Sequence, residues 1–184
     1  LATPALLAEL GLDPTYVDWT LRSTINVSDP ARVTGVEFNY NQPLTFLSNW
    51  GKYFNFTANV TQLHLQGPRA TDFNGFIPKT GNLGLTFSKK PVVLMLKWNY
   101  RGRQRQSSSG AAPNAFQYLD SWAKVDINAE YQITKNVTAF VNARNPFKVA
   151  HYNEIYSPET PAYSHRFHHG GFEAQYAFGI KGTF

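Results

Sequence analysis

Residues Val92–Arg101, with the sequence VVLMLKWNYR, carry the pattern that decides the fold. Alternate residues form an apolar face, which consists of Val92, Leu94, Leu96, Trp98 and Tyr100. The opposite face turns polar along the segment, with Lys97, Asn99 and Arg101. A period of two residues is the period of a β-strand. This segment therefore predicts a strand that has one apolar and one polar face.

The same alternation recurs along the chain and predicts seven strands in all. They cover residues 34–40, 53–61, 83–88, 92–101, 123–132, 137–144 and 172–184. Residues 16–27 form either an eighth strand or the outer end of the strand that contains Val36. A helix is favoured only at residues 4–12, where Thr3 is a capping residue and Gly11 ends the helix.

The connections between the predicted strands fall into two length classes. Short connections cover residues 88–91 and 134–136, and residues 42–51 make a slightly longer one. Long connections cover residues 67–80, 104–118 and 149–170, which are rich in Gly, Ser, Pro and Asn. A soluble sandwich has no reason to sort its connections by length. An up-and-down membrane barrel does so, because it has short periplasmic turns and long external loops.

The positions of the aromatic residues, which make up 15% of the chain, distinguish a membrane barrel from a soluble sandwich. Most predicted strands place an aromatic residue of the apolar face at the short-turn end: Tyr40, Phe54, Phe56, Phe87, Tyr131, Phe178 and Phe184. Trp98 and Tyr100 lie near the opposite end of their strand. Aromatic rings that prefer the headgroup zone form two such girdles around a barrel. A sandwich core would distribute its rings along the strands, so the pattern favours a barrel.

The opposite faces of the predicted strands carry charged side chains, including Glu37, Lys97, Asp126, Glu130 and Lys181. Burying so many charges in a dry core is costly, and eight strands enclose only a narrow lumen. Seven strands do not close a bacterial barrel. The predicted fold is therefore all-β: an antiparallel up-and-down transmembrane β-barrel segment, about seven or eight strands of a larger barrel, with one short N-terminal helix.

Several motifs resemble the C-terminal part of the barrel of TonB-dependent outer-membrane receptors. Gly35, Val36 and Glu37 lie in the stretch NVSDPARVTGVEFNY, which looks like a strand of that family. The stretches KTGNL at 79–83 and NARNPFK at 142–148 resemble two later family segments. The final FGIKGTF is similar to the family's outer-membrane assembly signal, which assigns that role to Gly179 and Phe184.

The resemblance implies a barrel of about 22 strands, most of it upstream of Leu1, and favours residues 16–40 as one long, bulged strand. Residues 1–15 would be an external loop with a short helix, and residues 16–184 the C-terminal transmembrane barrel strands. The implied function is energised uptake of a scarce solute, such as a siderophore, cobalamin or an oligosaccharide, across the bacterial outer membrane. The implied partners are outer-membrane lipid, the solute, the barrel-assembly machinery at the C-terminal strand, and the TonB complex through an N-terminal part that this sequence lacks.

Candidate solute-binding residues lie in or next to the long connections. Arg101, Arg103 and Arg105 follow the polar face of one strand into a loop, where guanidinium groups suit an anionic solute. Pairing of these arginines with Glu130 or Asp126 on the neighbouring strand is the favoured alternative. The remaining candidates are side chains of the later loops: Tyr118, Tyr156, His165, His168 and His169.

The imidazoles of these loops could contact a metal-bearing solute, with His151, Tyr152 and Glu154 completing the group. The tyrosines could stack on sugar rings or on an apolar solute. An ordinary polar, internally packed external loop is the favoured alternative in both cases. No resident metal, no cofactor and no catalytic residue is predicted, so the chain is expected not to be an enzyme.

Three other classes of function are weighed against the transporter. A net charge of +5 suggests nucleic-acid binding as a possible function. However, the cations are scattered, and no P-loop or zinc-finger spacing accompanies them. The absence of Cys excludes thiolate chemistry. A barrel enzyme would need a pair such as Ser121 and His165, which lie in no recognisable catalytic motif. The runner-up is a secreted all-β carbohydrate-binding module, which would be soluble on its own.

Overall fold

The computed structural model describes residues 2–20, 30–67, 73–108, 115–171 and 173–183. They belong to two compact units, Leu1–Pro30 and Ala31–Phe184. This boundary differs from the predicted division after residue 15. That division separates an external loop from a barrel wall by function, and it stays a prediction.

The described part of the N-terminal unit contains one α-helix, α1 (Pro4–Glu9). Thr3 caps the helix, because its side-chain oxygen accepts a hydrogen bond from the backbone N–H of Leu6 at 3.3 Å. Pro4 occupies the first turn, where its missing N–H costs no hydrogen bond. Gly11 follows the helix with φ +65°. The predicted helix and its cap are confirmed, although the helix ends at Glu9 rather than at residue 12.

The strand predicted at residues 16–27 is wrong over residues 16–20. Pro14–Tyr16 form a 3-10 turn, which Asp13 caps by accepting a hydrogen bond from the backbone N–H of Thr15 at 2.8 Å. Asp18 follows with φ +67°, a left-handed conformation that interrupts an extended strand. Residues 16–20 therefore do not belong to a long bulged strand, contrary to the prediction over residues 16–40. Residues 21–29 lie outside the described residues.

The C-terminal unit contains eleven strands among its described residues. In chain order they are β1 (Arg32–Pro43), β2 (Phe54–Gln66), β3 (Lys79–Lys89), β4 (Val92–Arg101), β5 (Gln104–Ser108), β6 (Phe116–Leu119), β7 (Trp122–Gln132), β8 (Val137–Arg144), β9 (His151–Tyr156), β10 (Arg166–Gly170) and β11 (Gln175–Gly182). Short 3-10 turns lie at Gly51–Tyr53 and Ala162–Ser164.

Seven of these strands form one antiparallel sheet in the order β1-β2-β3-β4-β7-β8-β11. They correspond to the seven strands predicted from alternation, and each pairs with its neighbours in chain order, so that β1 and β11 pair on one side only. The sheet is therefore an up-and-down meander, as predicted. Within the described residues it stays open, with β1 and β11 as its edges.

The other four strands form a second antiparallel sheet in the order β10-β9-β6-β5. They occupy residues 104–118 and 149–170, which the sequence predicts as loops, so that part of the prediction is wrong. These strands have only four to six residues. Segments such as RFHHG show no apolar–polar alternation, and the pairing of β6 with β9 joins two different connections. Local periodicity therefore does not reveal them.

The register of the seven-stranded sheet aligns similar residues in rows across the strands. One row on the polar face consists of Asn39, Asn59, Asn82, Asn99 and Lys124. One row on the apolar face consists of Tyr40, Ala58, Leu83, Trp98 and Val125. Because successive side chains alternate across a strand, this register gives the whole sheet one apolar face and one polar face.

The apolar face of the seven-stranded sheet is uncovered. Val36, Phe178 and Ile180 are 74%, 83% and 71% exposed. Among the described residues, the fully buried apolar side chains are Ala2, Leu7 and Ala115, and none of them lies in this sheet. A soluble sheet packs its apolar face against a second layer. This sheet instead has the geometry predicted for a barrel wall.

Candidate functional site

An aromatic band marks the short-turn end of the seven-stranded sheet. The ring centroids of Phe54 and Phe87 are 5.0 Å apart, and the Tyr53 ring lies 6.3 Å from that of Phe87. The Lys89 ammonium lies 4.2 Å from the centroid of Trp50 and 5.1 Å from that of Tyr53. Rings and lysines of this kind suit the boundary between an apolar slab and water. The band lies where the sequence predicts one girdle.

A hydrogen-bonded amide network covers the polar face of β1 and β2. Glu37 Oε1 accepts hydrogen bonds from the side-chain amides of Asn39 and Asn59, both at 3.1 Å. Asn59 also donates to Asn39 Oδ1. Next to these residues, a groove of about 510 Å³ runs past Gly84 towards Lys97. The polar face is therefore a wettable surface rather than a packed core.

Arg103 is the centre of a cluster on the four-stranded sheet. Its Nη2 atom lies 2.9 Å from Glu154 Oε2. Its Cζ atom lies 3.9 Å from the ring centroid of Tyr118 and 5.5 Å from that of Tyr156, within the range of cation–π attraction. The structure thus brings three predicted site residues together. The guanidinium is already held by protein groups, so this cluster stabilises the small sheet.

His165 joins the same cluster from the turn before β10. Its Nε2 atom lies 2.9 Å from the carbonyl oxygen of Thr160, and its ring packs edge-on against Tyr156 with the centroids 5.2 Å apart. A carbonyl oxygen only accepts, so Nε2 carries the proton and donates. That nitrogen is therefore occupied within the protein in this arrangement.

His169 belongs to a second stack, built on Tyr152. The two rings lie 5.0 Å apart with an interplanar angle of 22°. Arg166 places its Cζ atom 4.2 Å from the same tyrosine ring and its Nη2 atom 3.8 Å from Asp120 Oδ2. His168 lies opposite Asn153 in β9 and is exposed. The predicted histidines are therefore not one cluster, because His165 contacts Tyr156 whereas His169 contacts Tyr152.

Four basic side chains act electrostatically on His151, namely Arg101, Lys124, His168 and His169. His151 lies at the start of β9, opposite Gly170, and belongs to the four-stranded sheet. Burial lowers the pKa of His151 below its usual value, and the nearby positive charges of the other four lower it further. The surroundings of His151 therefore disfavour its protonation.

The arginines of β4 and β5 do not make the pairing that the sequence favours. Glu130 accepts a hydrogen bond from Lys181 at 2.7 Å, and Asp126 accepts one from the side chain of Asn99 at 3.1 Å. Arg105 instead stacks on Phe116, with 3.6 Å between Cζ and the ring centroid. The Nε atom of Arg101 is buried and has no hydrogen-bond partner among the described residues.

Asn145 anchors the turn after β8, within the predicted motif NARNPFK. Its side chain accepts from the backbone N–H of Val149 at 2.9 Å and donates to the Val149 carbonyl at 3.1 Å. Its own N–H donates to Asp126 Oδ1 at 3.1 Å. Asn145 is only 5% exposed and has φ +49°, a conformation that Asn tolerates better than most residues. The turn is therefore tied to β7.

Gly179 of the predicted assembly signal lies in β11, directly opposite Phe140 of β8. A Cβ atom at residue 179 would come within 2.9 Å of the Phe140 ring. The glycine therefore leaves room for that ring to lie across the strand, as aromatic side chains do over strand glycines. Phe184, the other residue of the predicted signal, lies outside the described residues, and the assembly role of both stays a prediction.

Ser121 and His165, the pair weighed for a barrel enzyme, have separate sets of contacts. Ser121 interacts with the side chain of its neighbour Asp120, and His165 interacts with Thr160 and Tyr156. No group of three or more His, Asp or Glu that could hold a metal ion occurs in the part of the chain that the structure describes. No helix there is long and apolar enough to cross a membrane.

Sequence reasoning missed several pairings of the four-stranded sheet. Arg166 with Asp120, and Arg103 with Glu154, join segments that lie far apart in the sequence, whereas Arg166 with Tyr152 joins two residues of one predicted loop. No local signal points to these pairs, because the sequence pattern does not show which segments of the connections meet. Only the mixture of aromatic and basic residues in these segments hints at stacking.

An open antiparallel meander with an uncovered apolar face and a hydrogen-bonded polar face defines the wall of an up-and-down β-barrel. The family model described as "TonB dependent receptor-like, beta-barrel" matches residues 8–145. The match covers more than half of the chain, so the chain belongs to this family. Comparisons with curated proteins and with solved structures found no significant match.

Proposed function

We propose that this chain forms the C-terminal part of the transmembrane barrel of a TonB-dependent receptor in the bacterial outer membrane. The receptor takes up a scarce solute, such as a siderophore, cobalamin or an oligosaccharide, and is a transporter rather than an enzyme. The observation that carries the proposal is the uncovered apolar face of a seven-stranded meander in a chain of this receptor family.

The physical argument for a lipid environment rests on the area and continuity of that face. Exposed Val36, Phe38, Leu94, Val141 and Phe178 belong to strands that extend across the sheet from β1 to β11. Soluble monomers rarely expose so continuous an apolar surface. Lipid tails can cover it, while the amide-rich polar face lines a wet lumen.

The solute would first meet the end of the barrel that carries the four-stranded sheet. The long connections of such a barrel face the outside of the cell, and this sheet is built from two of them. Its stacked arginines and tyrosines hold the connections in one conformation, which lowers the entropic cost of binding. Outer-membrane lipid, the barrel-assembly machinery and the TonB complex, the last through a part of the receptor outside this sequence, complete the proposed partners.

A gel and an uptake assay test this proposal together. Outer membranes from the source cell are probed with an antibody against residues 104–118, with and without boiling. A folded membrane barrel shifts in mobility on boiling, whereas a soluble, unshifted band contradicts the proposal. Cells with and without the gene are then compared for uptake of ferric citrate, cyanocobalamin and maltohexaose, each with and without a proton uncoupler. Gene-dependent uptake that the uncoupler abolishes supports energised transport.

The secreted carbohydrate-binding module remains the alternative from another class. Such a module would fold as a soluble domain with its apolar residues between two layers. The exposed apolar face and the receptor family both favour the barrel. Soluble secretion of a band that binds maltohexaose, with no heat-dependent shift, would favour the module.

A further inference from the structure

We propose that the side chains of Trp50, Lys52, Tyr53 and Lys89, here called the Lys89 patch, bind the phosphate group of an anionic phospholipid in the periplasmic leaflet. This inference rests on the proposed function, which surrounds the apolar face of the seven-stranded sheet with lipid, and it adds a defined headgroup site to that contact. The patch lies at the short-turn end of the sheet, where the connection between β1 and β2 meets the end of β3. Short turns of such a barrel face the periplasm.

Lys89 belongs to the lipid-facing side of the sheet. It is the last residue of β3 and lies two residues after Phe87, whose ring packs against Phe54 on the apolar face. Because side chains alternate along a strand, Lys89 shares the face of Phe87. A lysine at the edge of an apolar slab extends its amine towards the headgroups. The Lys89 ammonium is therefore at the level of the lipid phosphates.

Two aromatic rings orient the Lys89 ammonium. Its Nζ atom lies 4.2 Å from the ring centroid of Trp50 and 5.1 Å from that of Tyr53. The Nζ atom of Lys52 lies 5.3 Å from the centroid of the same Tyr53 ring. Cation–π attraction orients an amine but leaves its positive charge without a counter-ion. A phosphate beside Tyr53 is thus attracted by two lysines, and their orientation in advance lowers the entropic cost of binding it.

The short connections carry lysines but no acidic residue. Residues 43–53, 89–91 and 133–136 contain no Asp or Glu. They contain four lysines, namely Lys52, Lys89, Lys90 and Lys135. Among the described residues, no ion pair involves Lys52 or Lys89. Lysines close to an anionic lipid surface are attracted to it, so charge complementarity favours an anion that the membrane supplies.

The connection between β1 and β2 also presents apolar side chains, which favour a lipid over a free anion. Phe46 and Leu47 are 70% and 64% exposed, and Trp50 is exposed as well. The connection is nonetheless ordered, with a hydrogen bond from the Tyr53 N–H to the Trp50 carbonyl at 3.0 Å. Large apolar side chains grouped on a turn are unfavourable in water. A lipid interface accommodates them beside the headgroups.

Native mass spectrometry tests the inference apart from transport. The full-length receptor, purified in a non-ionic detergent, is mixed with phosphatidylglycerol or with phosphatidylcholine that has the same acyl chains. We expect the receptor to retain at least about fivefold more phosphatidylglycerol, because lysines near the membrane surface favour an anionic lipid. Equal retention of the two lipids overturns the inference.

Two soluble ligands distinguish other occupants of the Lys89 patch. Glycerol 3-phosphate carries the anionic group without acyl chains, and a muropeptide represents the cell wall. Retention of phosphatidylglycerol with much weaker binding of both soluble ligands supports the lipid. If either soluble ligand binds as tightly as phosphatidylglycerol, the assignment to a phospholipid is overturned.

Variants locate the site. Lys89→Gln should lower the retention of phosphatidylglycerol about fivefold, which is the contribution of one lysine at an anionic lipid surface, whereas Lys89→Arg should keep most of it. Lys52→Gln provides a second variant if Lys89→Gln fails to fold, as judged by its heat-dependent gel shift. Lys135→Gln is the matched control, because it also removes one positive charge but from the connection between β7 and β8. Equal losses in Lys135→Gln and Lys89→Gln would overturn the inference.

The two proposals fail in different ways. Energised uptake by a receptor that shows no preference for phosphatidylglycerol would retain the receptor function and refute the Lys89 patch. A preference for phosphatidylglycerol that depends on Lys89, without gene-dependent uptake, would retain the patch and refute the transport proposal.

Discussion

Replacement of Asn145 should destabilise the barrel segment by breaking the anchor of the turn after β8. The side chain makes two hydrogen bonds to Val149, at 2.9 and 3.1 Å, and Asn145 is 5% exposed. A net hydrogen bond contributes about 1 kcal/mol, so Asn145→Gly should cost about 2 kcal/mol. Asn145→Ala should cost about 3 kcal/mol, because alanine also pays about 1 kcal/mol for the left-handed backbone at φ +49°.

The two variants separate side-chain bonding from backbone strain. Each is assayed by its urea unfolding midpoint in detergent, with folded protein measured by the heat-dependent gel shift. Lys148→Ala serves as the control, since that residue also has a positive φ but carries an exposed ion pair. If Asn145→Gly is as stable as the wild type, the hydrogen bonds contribute nothing and the reasoning fails. If alanine and glycine are equally harmful, the strain argument alone fails.

Three further predictions concern other parts of the chain. Gly179→Ala should slow folding and lower stability by about 1–3 kcal/mol, because the new Cβ atom meets the Phe140 ring at 2.9 Å. Gly81→Ala is the control and should be tolerated, because its nearest contact is at 3.7 Å. Folding of the two variants into lipid vesicles measures both effects, and equal effects would contradict the argument. Glu154→Gln should raise the rate of hydrogen exchange in β9, because Arg103 loses its ion pair at 2.9 Å. Glu173→Gln removes an exposed ion pair and should leave that rate unchanged. Unchanged exchange in both variants would show that the Arg103 cluster does not hold the sheet. The pKa of His151 is lowered mainly by burial and further by Lys124, Arg101, His168 and His169, so the unfolded chain binds a proton at this residue more readily than the folded chain does. The four-stranded sheet should therefore lose protection from hydrogen exchange as the pH falls below about 6.5. His151→Asn should flatten that pH dependence, and an unchanged profile would refute the argument.

The wall of the barrel could be predicted from the sequence because its signal is local. In Val92–Arg101 the side chains that face the two environments alternate, and the same rule locates the other wall strands. The aromatic residues at strand ends then indicate which environment is apolar. The strand predicted over residues 16–27 is wrong over residues 16–20 because Pro14 and Asp18 impose turns there, and alternation alone does not weigh backbone conformation.

The candidate site was less accessible to sequence reasoning because its contacts are long-range. The sequence predicts Arg103 as a possible anion ligand, yet its partners Glu154 and Tyr118 reveal a structural role. Arg101 lies in the seven-stranded sheet, whereas His168 and His169 lie in the four-stranded sheet, and no spacing rule in the sequence assigns them to different sheets.

The sequence by itself determined the strands of the wall, their apolar and polar faces, and the resemblance to a receptor barrel. These follow from alternation, which each strand carries within its own residues. The tertiary structure alone decided that the long connections form a second sheet, that Asn145 ties its turn to Asp126, and that Arg103 pairs with Glu154. These features depend on backbone hydrogen bonds and charges between distant residues, and no local pattern encodes such distances.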